Sequence, residues 1–255
     1  MSFPRPDGLR AVSFDLGGTL IRAWPDVGTI YAGVCGAHGL NVSAEACHRG
    51  FESAWARRAE LAIPGRDRFS SWPGGEDGWW GGVVADVLAS CGVDPGLAPG
   101  VEAFRAAFAS DHAWKVYDDV HDSLDGLRAA GYRLAILSNW DSRMTGLLER
   151  LALTPRFDAL LCSAVEGMEK PHPGFFARVT EELGVPPSQV LHIGDLVRED
   201  YLGARAAGMR ALWLDRRGTG APAGAGVEPD DVVTSIGEVR RRLTSPSRPP
   251  HEGVS

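Results

Sequence analysis

Lysine is almost missing from this chain: of 26 basic residues only Lys115 and Lys170 are lysines, and the other 24 are arginines. Each lysine is therefore a residue to account for. Cysteine is sparse as well. Cys35, Cys47, Cys91 and Cys162 form no CxxC pair and no His-spaced cluster, which excludes a zinc module or a disulfide framework and fits the reducing cytoplasm. No apolar run approaches the roughly 20 residues of a membrane span. The opening "MSFPRPDGLR" carries no apolar stretch of the kind a secretory signal needs, so a soluble, cytoplasmic protein with no membrane partner is expected. Positive charge is not in excess either. A net charge of −7 argues against a general nucleic-acid or anionic-lipid surface, although a local site can still be positive. No internal repeat is visible, and only the Pro/Ser-rich tail over 244–255 is expected to be disordered. Oligomeric state is left open.

What is present is a recurring pattern. At 255 residues and 44% hydrophobic, the chain can bury a core of one large α/β domain or of a smaller domain with an insertion. Short apolar runs without polar alternation occur at 11–14 (AVSF), 133–137 (RLAIL), 159–163 (ALLCS), 190–193 (VLHI) and 211–214 (ALWL). Such runs are what a parallel sheet covered on both faces requires, and the segments between them have helix length. Asp118 or Asp119, Asp141 or Ser142, and Pro173 with Gly184 mark expected helix ends. A Rossmann-like three-layer α/β sandwich with a parallel sheet follows. The interval 22–115 breaks the rhythm. It offers helical stretches at 29–39, 43–61, 81–91 and 98–112, a glycine- and aromatic-rich loop at 70–82 and no strand pattern. It reads as an inserted helical cap, with residues 1–21 and 116–243 forming the core. Six of eight tryptophans fall in or beside the cap, where packing is the plain explanation and a pocket lining the sharper one.

In an open parallel sheet, ligands bind beyond the carboxyl ends of the strands where strand order reverses. Asp15 lies at such an end, as do Ser138-Asn139 and Asp195. Three polar groups at three strand ends point to one crevice. Gly17-Gly18 permits a sharp turn with exposed amides, and Thr19 can hydrogen-bond an anion there. The plain alternative for Asp15 is a turn-capping carboxylate.

"DLGGTL", "LSNW", "EKP" and "GDLVRED", in that order, resemble the four motifs of the haloacid dehalogenase-like hydrolase superfamily. The stretch 133–215 is similar to its branch containing the haloacid dehalogenase-like hydrolase domain-containing protein 3 group. The motifs cover about 90 residues. The resemblance implies an Asp15 nucleophile that forms an aspartyl phosphate. Gly18, Thr19, Ser138 and Asn139 would hold the phosphate, and Lys170 would neutralise charge beside it. Mg²⁺ would be bound by Asp15, the Gly17 carbonyl, Asp195 and Asp200, the last with a supporting or helix-capping role as its alternative.

One departure stands out. Phosphatases of this family usually carry a second aspartate two residues after the nucleophile, as general acid and then base. Here that residue is Gly17, and a positioned acid or base supplies about 10²–10⁴ in rate. A substitute would have to come from the cap, where His38, Glu45, His48, Glu52, Glu76 and Asp77 are available, and restoring the acid as Gly17→Asp is expected to help poor leaving groups. The expected function is a Mg²⁺-dependent phosphatase for a small phosphorylated metabolite. The alternatives are a phosphate-binding or regulatory protein on the same fold, a hydrolytic dehalogenase, which needs neither the second acid nor a metal, and a phosphonate hydrolase using Lys115.

Overall fold

The computed structural model describes residues 8–61, 63, 65–110 and 112–245. The first apolar run forms β1 (Ala11–Phe14), buried along its whole length. After β2 (Ile21–Ala23) come four helices, α1 (Val27–Ala37), α2 (Ala44–Glu60), α3 (Gly75–Ser90) and α4 (Val101–Ala109), and then β3 (Trp114–Val116). The rest alternates: α5 (Val120–Ala129), β4 (Arg133–Ser138), α6 (Met144–Arg150), β5 (Ala159–Cys162), α7 (Ser163–Glu166), α8 (Pro173–Leu183) and β6 (Val190–Gly194). A π-helical turn, Val197–Leu202, runs into α9 (Gly203–Ala206), and β7 (Arg210–Leu214), β8 (Val232–Val233) and α10 (Ile236–Thr244) complete the core.

Six strands form one parallel sheet in the order β5-β4-β1-β6-β7-β8. Strand alternation sends Val12, Phe14, Leu134, Ile136, Leu191 and Ile193 to one face, where they pack on α5, α6 and α10. Ala11, Ala135, Leu137, Val190 and Ala211 face the other way, against Phe175, Phe176 and Val179 of α8 and against Tyr201. Both faces are therefore covered, as the continuous apolar runs require, and the three-layer Rossmann-like sandwich is what forms. The two-residue β8 was too short to register in the sequence pattern. Helix α8 starts at Pro173 behind the His172 cap, whose side chain accepts from the Gly174 amide, and stops at Gly184 with φ +59°. Asp119 precedes α5 but makes no cap bond, since its carboxylate instead accepts from the Ile236 amide and from Arg216.

The cap has its own core, built from Tyr31, Phe69, Trp79, Val83, Val87, Phe104 and neighbours. Two expectations change here. The interval is not free of strands, because β2 and β3 pair antiparallel, Ile21 opposite Val116, and clasp the two chain crossings between cap and core. The expected loop at 70–82 already turns helical at Gly75, so that Trp79, Val83 and Val87 share one buried stripe. Cysteines far apart in sequence also meet, with the Cys47 and Cys91 sulfurs 3.8 Å apart. Among the described residues no helix is long and apolar enough to cross a membrane. The expected disordered tail lies, from residue 246 onward, outside the described residues.

Candidate active site

Strand β1 sits between β4 and β6, where the strand order reverses, and the carboxyl ends of all three open onto one hollow. Asp15 follows β1, Ser138 ends β4 and Asp195 follows β6. Ser138 Oγ donates to Asp15 Oδ1 at 3.0 Å, and Lys170 Nζ donates to the same oxygen at 2.7 Å. Neither bond engages Oδ2. Lys170 is only 2% exposed and also reaches Asp200 Oδ1 at 2.5 Å, so one ammonium is shared by two buried carboxylates. Asn139, which also lines the hollow, fixes this lysine: its Oδ1 accepts from the Lys170 amide at 2.7 Å and its Nδ2 donates to the Lys170 carbonyl at 2.9 Å.

Asp15, Asp195 and Asp200 each place a carboxylate oxygen within 4.8 Å of the others. Burial raises the Asp15 carboxyl above its ordinary range despite Lys170. Burial, followed by repulsion from Asp15 and Asp200, pushes Asp195 up to about 8. For Asp200 burial works in the same direction, yet the Lys170 ammonium and the His192 hydrogen bond overcome it and hold the carboxyl low. Three carboxylates against one ammonium leave negative charge uncompensated. A donor set made only of hard oxygens, short of positive charge, fits Mg²⁺. Two expected phosphate contacts have other duties. Thr19, fully buried, donates to Asp195 Oδ1 at 3.3 Å, and the Gly18 amide donates to the Ile21 carbonyl at 2.8 Å. Gly18 itself has φ +77°, and a Cβ there would lie 2.4 Å from Asp195 Oδ2, so only glycine lets the acid approach.

This crowding yields a stability prediction. A carboxyl whose folded pKa is raised favours folding below its unfolded pKa of 3.8 and loses that contribution as pH rises to about 8. Asp195→Asn keeps an acceptor for Thr19 and removes the repulsion. At pH 8 without metal it is expected to raise the Tm by about 3–6 °C, equivalent to about 1–2 kcal/mol. Where Mg²⁺ raises the Tm of the wild type, the variant should lose that increase. Differential scanning fluorimetry with and without Mg²⁺ measures both.

The Gly17 position has a physical explanation. A Cβ built on Gly17 would lie 2.9 Å from Cζ3 of Trp140, so the indole occupies the space of a side chain at 17. Gly17→Asp alone is therefore not the simple gain expected from the sequence, because the acid would have to displace a tryptophan. None of the six cap residues considered as substitutes lines the hollow. Among described residues, Asp77 pairs with Arg105, Glu45 with Arg49, and Glu76 accepts from Ser142. The hollow opens from Asp15 and Lys170 into a chamber of about 780 Å³ between cap and core, walled by aromatic side chains that include Trp55, Trp80, Phe104, Trp114 and Trp140. The tryptophans thus serve both expected roles: Trp79 is fully buried in the cap core, while these others face the chamber.

The sequence model of the haloacid dehalogenase-like hydrolase family matches residues 9–208, which include every strand end of this site. The chain belongs to that family. This haloacid dehalogenase-like hydrolase is 30% identical over 239 residues to the haloacid dehalogenase-like hydrolase domain-containing protein 3 of Danio rerio, covering 92% of this chain and 96% of that one. It is 29% identical over 198 residues to a phosphoserine phosphatase of Thermus thermophilus, covering 76% of this chain and 73% of that one. A solved defluorinating L-2-haloacid dehalogenase shares the fold, with a TM-score of 0.76 at 22% identity over 95% of this chain and 99% of that one.

The hydrolase also holds its cap to its core by polar contacts that no sequence pattern announced. Trp80 Nε1 donates to the buried Asp141 at 2.7 Å, and Glu76 accepts from both the amide and hydroxyl of Ser142 at 2.9 Å. Arg68 forms a buried, two-pronged pair with Glu169 at 2.8 and 3.1 Å, directly beside Lys170. His192, in the middle of β6, bridges Ser13 at 2.8 Å and Asp200 at 3.3 Å, while burial holds its pKa down. Its only signal in the sequence was a histidine within the otherwise apolar VLHI.

Proposed function

We propose that this hydrolase is a cytoplasmic, Mg²⁺-dependent phosphatase that acts on a small phosphorylated metabolite through an aspartyl phosphate on Asp15. The observation that carries this reading is the cluster of Asp15, Asp195 and Asp200 around one buried ammonium, a charge arrangement that calls for a cation and that a metal-free reaction at carbon has no use for. The similarity to a phosphoserine phosphatase supports it.

Asp15 Oδ2, the oxygen left by Ser138 and Lys170, attacks phosphorus and the bond to the leaving oxygen breaks. Ser138 and Lys170 lie beside the attacking carboxylate, where the hydroxyl and ammonium hold the oxygens of the transferring phosphoryl group and offset its charge. Asn139, by gripping both backbone polar groups of Lys170, keeps the ammonium in place. Asp15, Asp195, Asp200 and the Gly17 carbonyl would hold Mg²⁺, which would supply Lewis-acid stabilisation of phosphoryl charge. Water then cleaves the acyl phosphate and restores the Asp15 carboxylate. The cap, closing over the hollow, excludes bulk water and selects the substrate.

Phosphate release from acetyl phosphate and p-nitrophenyl phosphate tests the reading. Chelation of Mg²⁺ is expected to lower kcat/KM by about 10³-fold, roughly 4 kcal/mol of barrier. Gly17 favours a second reading, hydrolytic dehalogenation, in which Asp15 attacks a carbon bearing halide and no second acid is needed. Halide release from 2-chloropropionate without phosphate release would establish that instead. Tight binding of beryllofluoride with no turnover of either substrate class would mark a binding protein.

A further inference from the structure

Resting on the phosphatase reading, we infer that the substrate is an aryl phosphate, or an equally acidic enol phosphate on a planar apolar body, and not an alkyl phosphate. Two independent features of the site converge on this class. The first is chemical. Gly17 stands where the family resemblance places the proton donor of phosphatases, and its space is filled by the Trp140 indole, which has no proton to give an oxyanion at its Cζ3 edge. The leaving oxygen therefore departs with the electron pair of the P–O bond and no added proton. A phenol, with a pKa of about 10, tolerates this. An alkoxide, nearly as basic as the hydroxide formed from water of pKa about 15.7, does not. The later addition of water to the aspartyl phosphate supplies hydroxyl to phosphorus and a proton to the released phenolate, so the overall reaction balances.

The second feature is the wall of the chamber. Trp140 lies against Trp114, ring centres 5.1 Å apart and planes at 58°, and the two indoles adjoin the hollow that holds Asp15 and Lys170. Trp55, Trp80 and Phe104 line the same space farther into the cap. Against these rings the hydroxyls of a sugar phosphate would lose hydrogen bonds to water, whereas a planar ring gains area and stacking, and the polar side chains of the same lining, Arg22, Ser142 and Arg217 among them, are left to the polar end of the substrate. The same tryptophan thus removes the general acid and provides the surface for a substrate that does not need one. Trp140 is on this account a specificity-determining residue. The chamber lining also includes two carboxylates outside the Asp15 cluster, Asp141, which is held by Trp80 and Arg143, and Glu199, which is the natural competitor to this inference as a replacement acid.

The experiment is a leaving-group series on the full chain with Mg²⁺: ring-substituted phenyl phosphates, then benzyl phosphate, which keeps the ring but leaves as an alkoxide, with acetyl phosphate as the non-aromatic activated reference. The expected result is a steep fall of kcat/KM with rising leaving-group pKa, and phenyl phosphate ahead of benzyl phosphate by about 10²–10⁴-fold, the factor a positioned acid ordinarily contributes. Trp114→Ala is expected to lower the ratio of p-nitrophenyl phosphate to acetyl phosphate kcat/KM by about tenfold, the loss of one stacked ring. The double variant Gly17→Asp with Trp140→Ala should flatten the series and raise benzyl phosphate turnover. If the wild-type series is flat, or steepens only in Glu199→Gln, another acid acts and the inference fails while the phosphatase reading stands. An unchanged ratio in Trp114→Ala removes the aromatic half of it. No phosphate from acetyl phosphate or any aryl phosphate would sink the phosphatase reading and this inference with it.

Discussion

Asp15→Asn is expected to reduce phosphate release at least about 10⁴-fold, more than 5 kcal/mol of barrier, while leaving the fold in place. An amide oxygen is no nucleophile toward phosphorus, yet it still accepts from Ser138 and from Lys170 at the positions Oδ1 now occupies. Because burial already holds the Asp15 carboxyl above its ordinary range, replacing it with a neutral isostere relieves as much as it costs, and the Tm should change little. The variant should also fail to trap a phosphoryl group on residue 15 when quenched during turnover and read by peptide mass. Residual activity above about one percent would take Asp15 out of the covalent step.

Lys170→Met has the second large effect, and there the loss falls on stability as well as on rate. Its ammonium is held between Asp15 and Asp200, with 2% of the side chain exposed. Removing one member of a buried ionic cluster leaves the others uncompensated, at a cost of about 3–5 kcal/mol. A Tm loss of roughly 10 °C is expected, with about half recovered by millimolar Mg²⁺, whose charge would stand in for the ammonium. The sign of the pH dependence follows from the shifts. The raised Lys170 keeps its contribution until pH passes well above 10.5, and the depressed Asp200 loses its own only as pH falls below 3.8. Lys170 also holds the Asp15 and Asp195 carboxyls down, so the deficit of the methionine variant should grow from pH 5 to 9 as these carboxyls ionise without it, and the Asp195→Asn gain grows toward pH 8 as well. Arginine is not expected to rescue it, since the guanidinium fork does not fit a slot built around a point charge. A methionine variant as stable as the wild type would mean that Asp15 and Asp200 do not depend on the Lys170 charge.

Much of this site was legible beforehand, and the reason is local. A short run such as AVSF or VLHI, apolar but for one residue and free of polar alternation, reads as a strand covered on both faces, and the polar residue that follows it then emerges at the sheet's carboxyl edge. Asp15, Ser138 and Asp195 were readable on that ground, and Lys170 on its rarity in an arginine-rich chain. The side-chain assignments were harder. Thr19 and Asn139 carry the right chemistry to touch a phosphate, and the structure adds partners the sequence did not name, Asp195 for the first and the backbone of Lys170 for the second. Hydroxyls and amides bind whatever donor or acceptor folding brings near, and no spacing in the chain specifies that partner.

Run length and periodicity, which act within a few residues of one another, were enough to specify the sandwich and the strand tips that carry carboxylates. Folding alone brings Trp140, 123 residues beyond Gly17, into the space of a side chain at 17, pairs β2 with β3 and sets an aromatic chamber beside Asp15. Those are facts about which surfaces close on each other. They depend on volume shared between distant segments, which a linear pattern does not record.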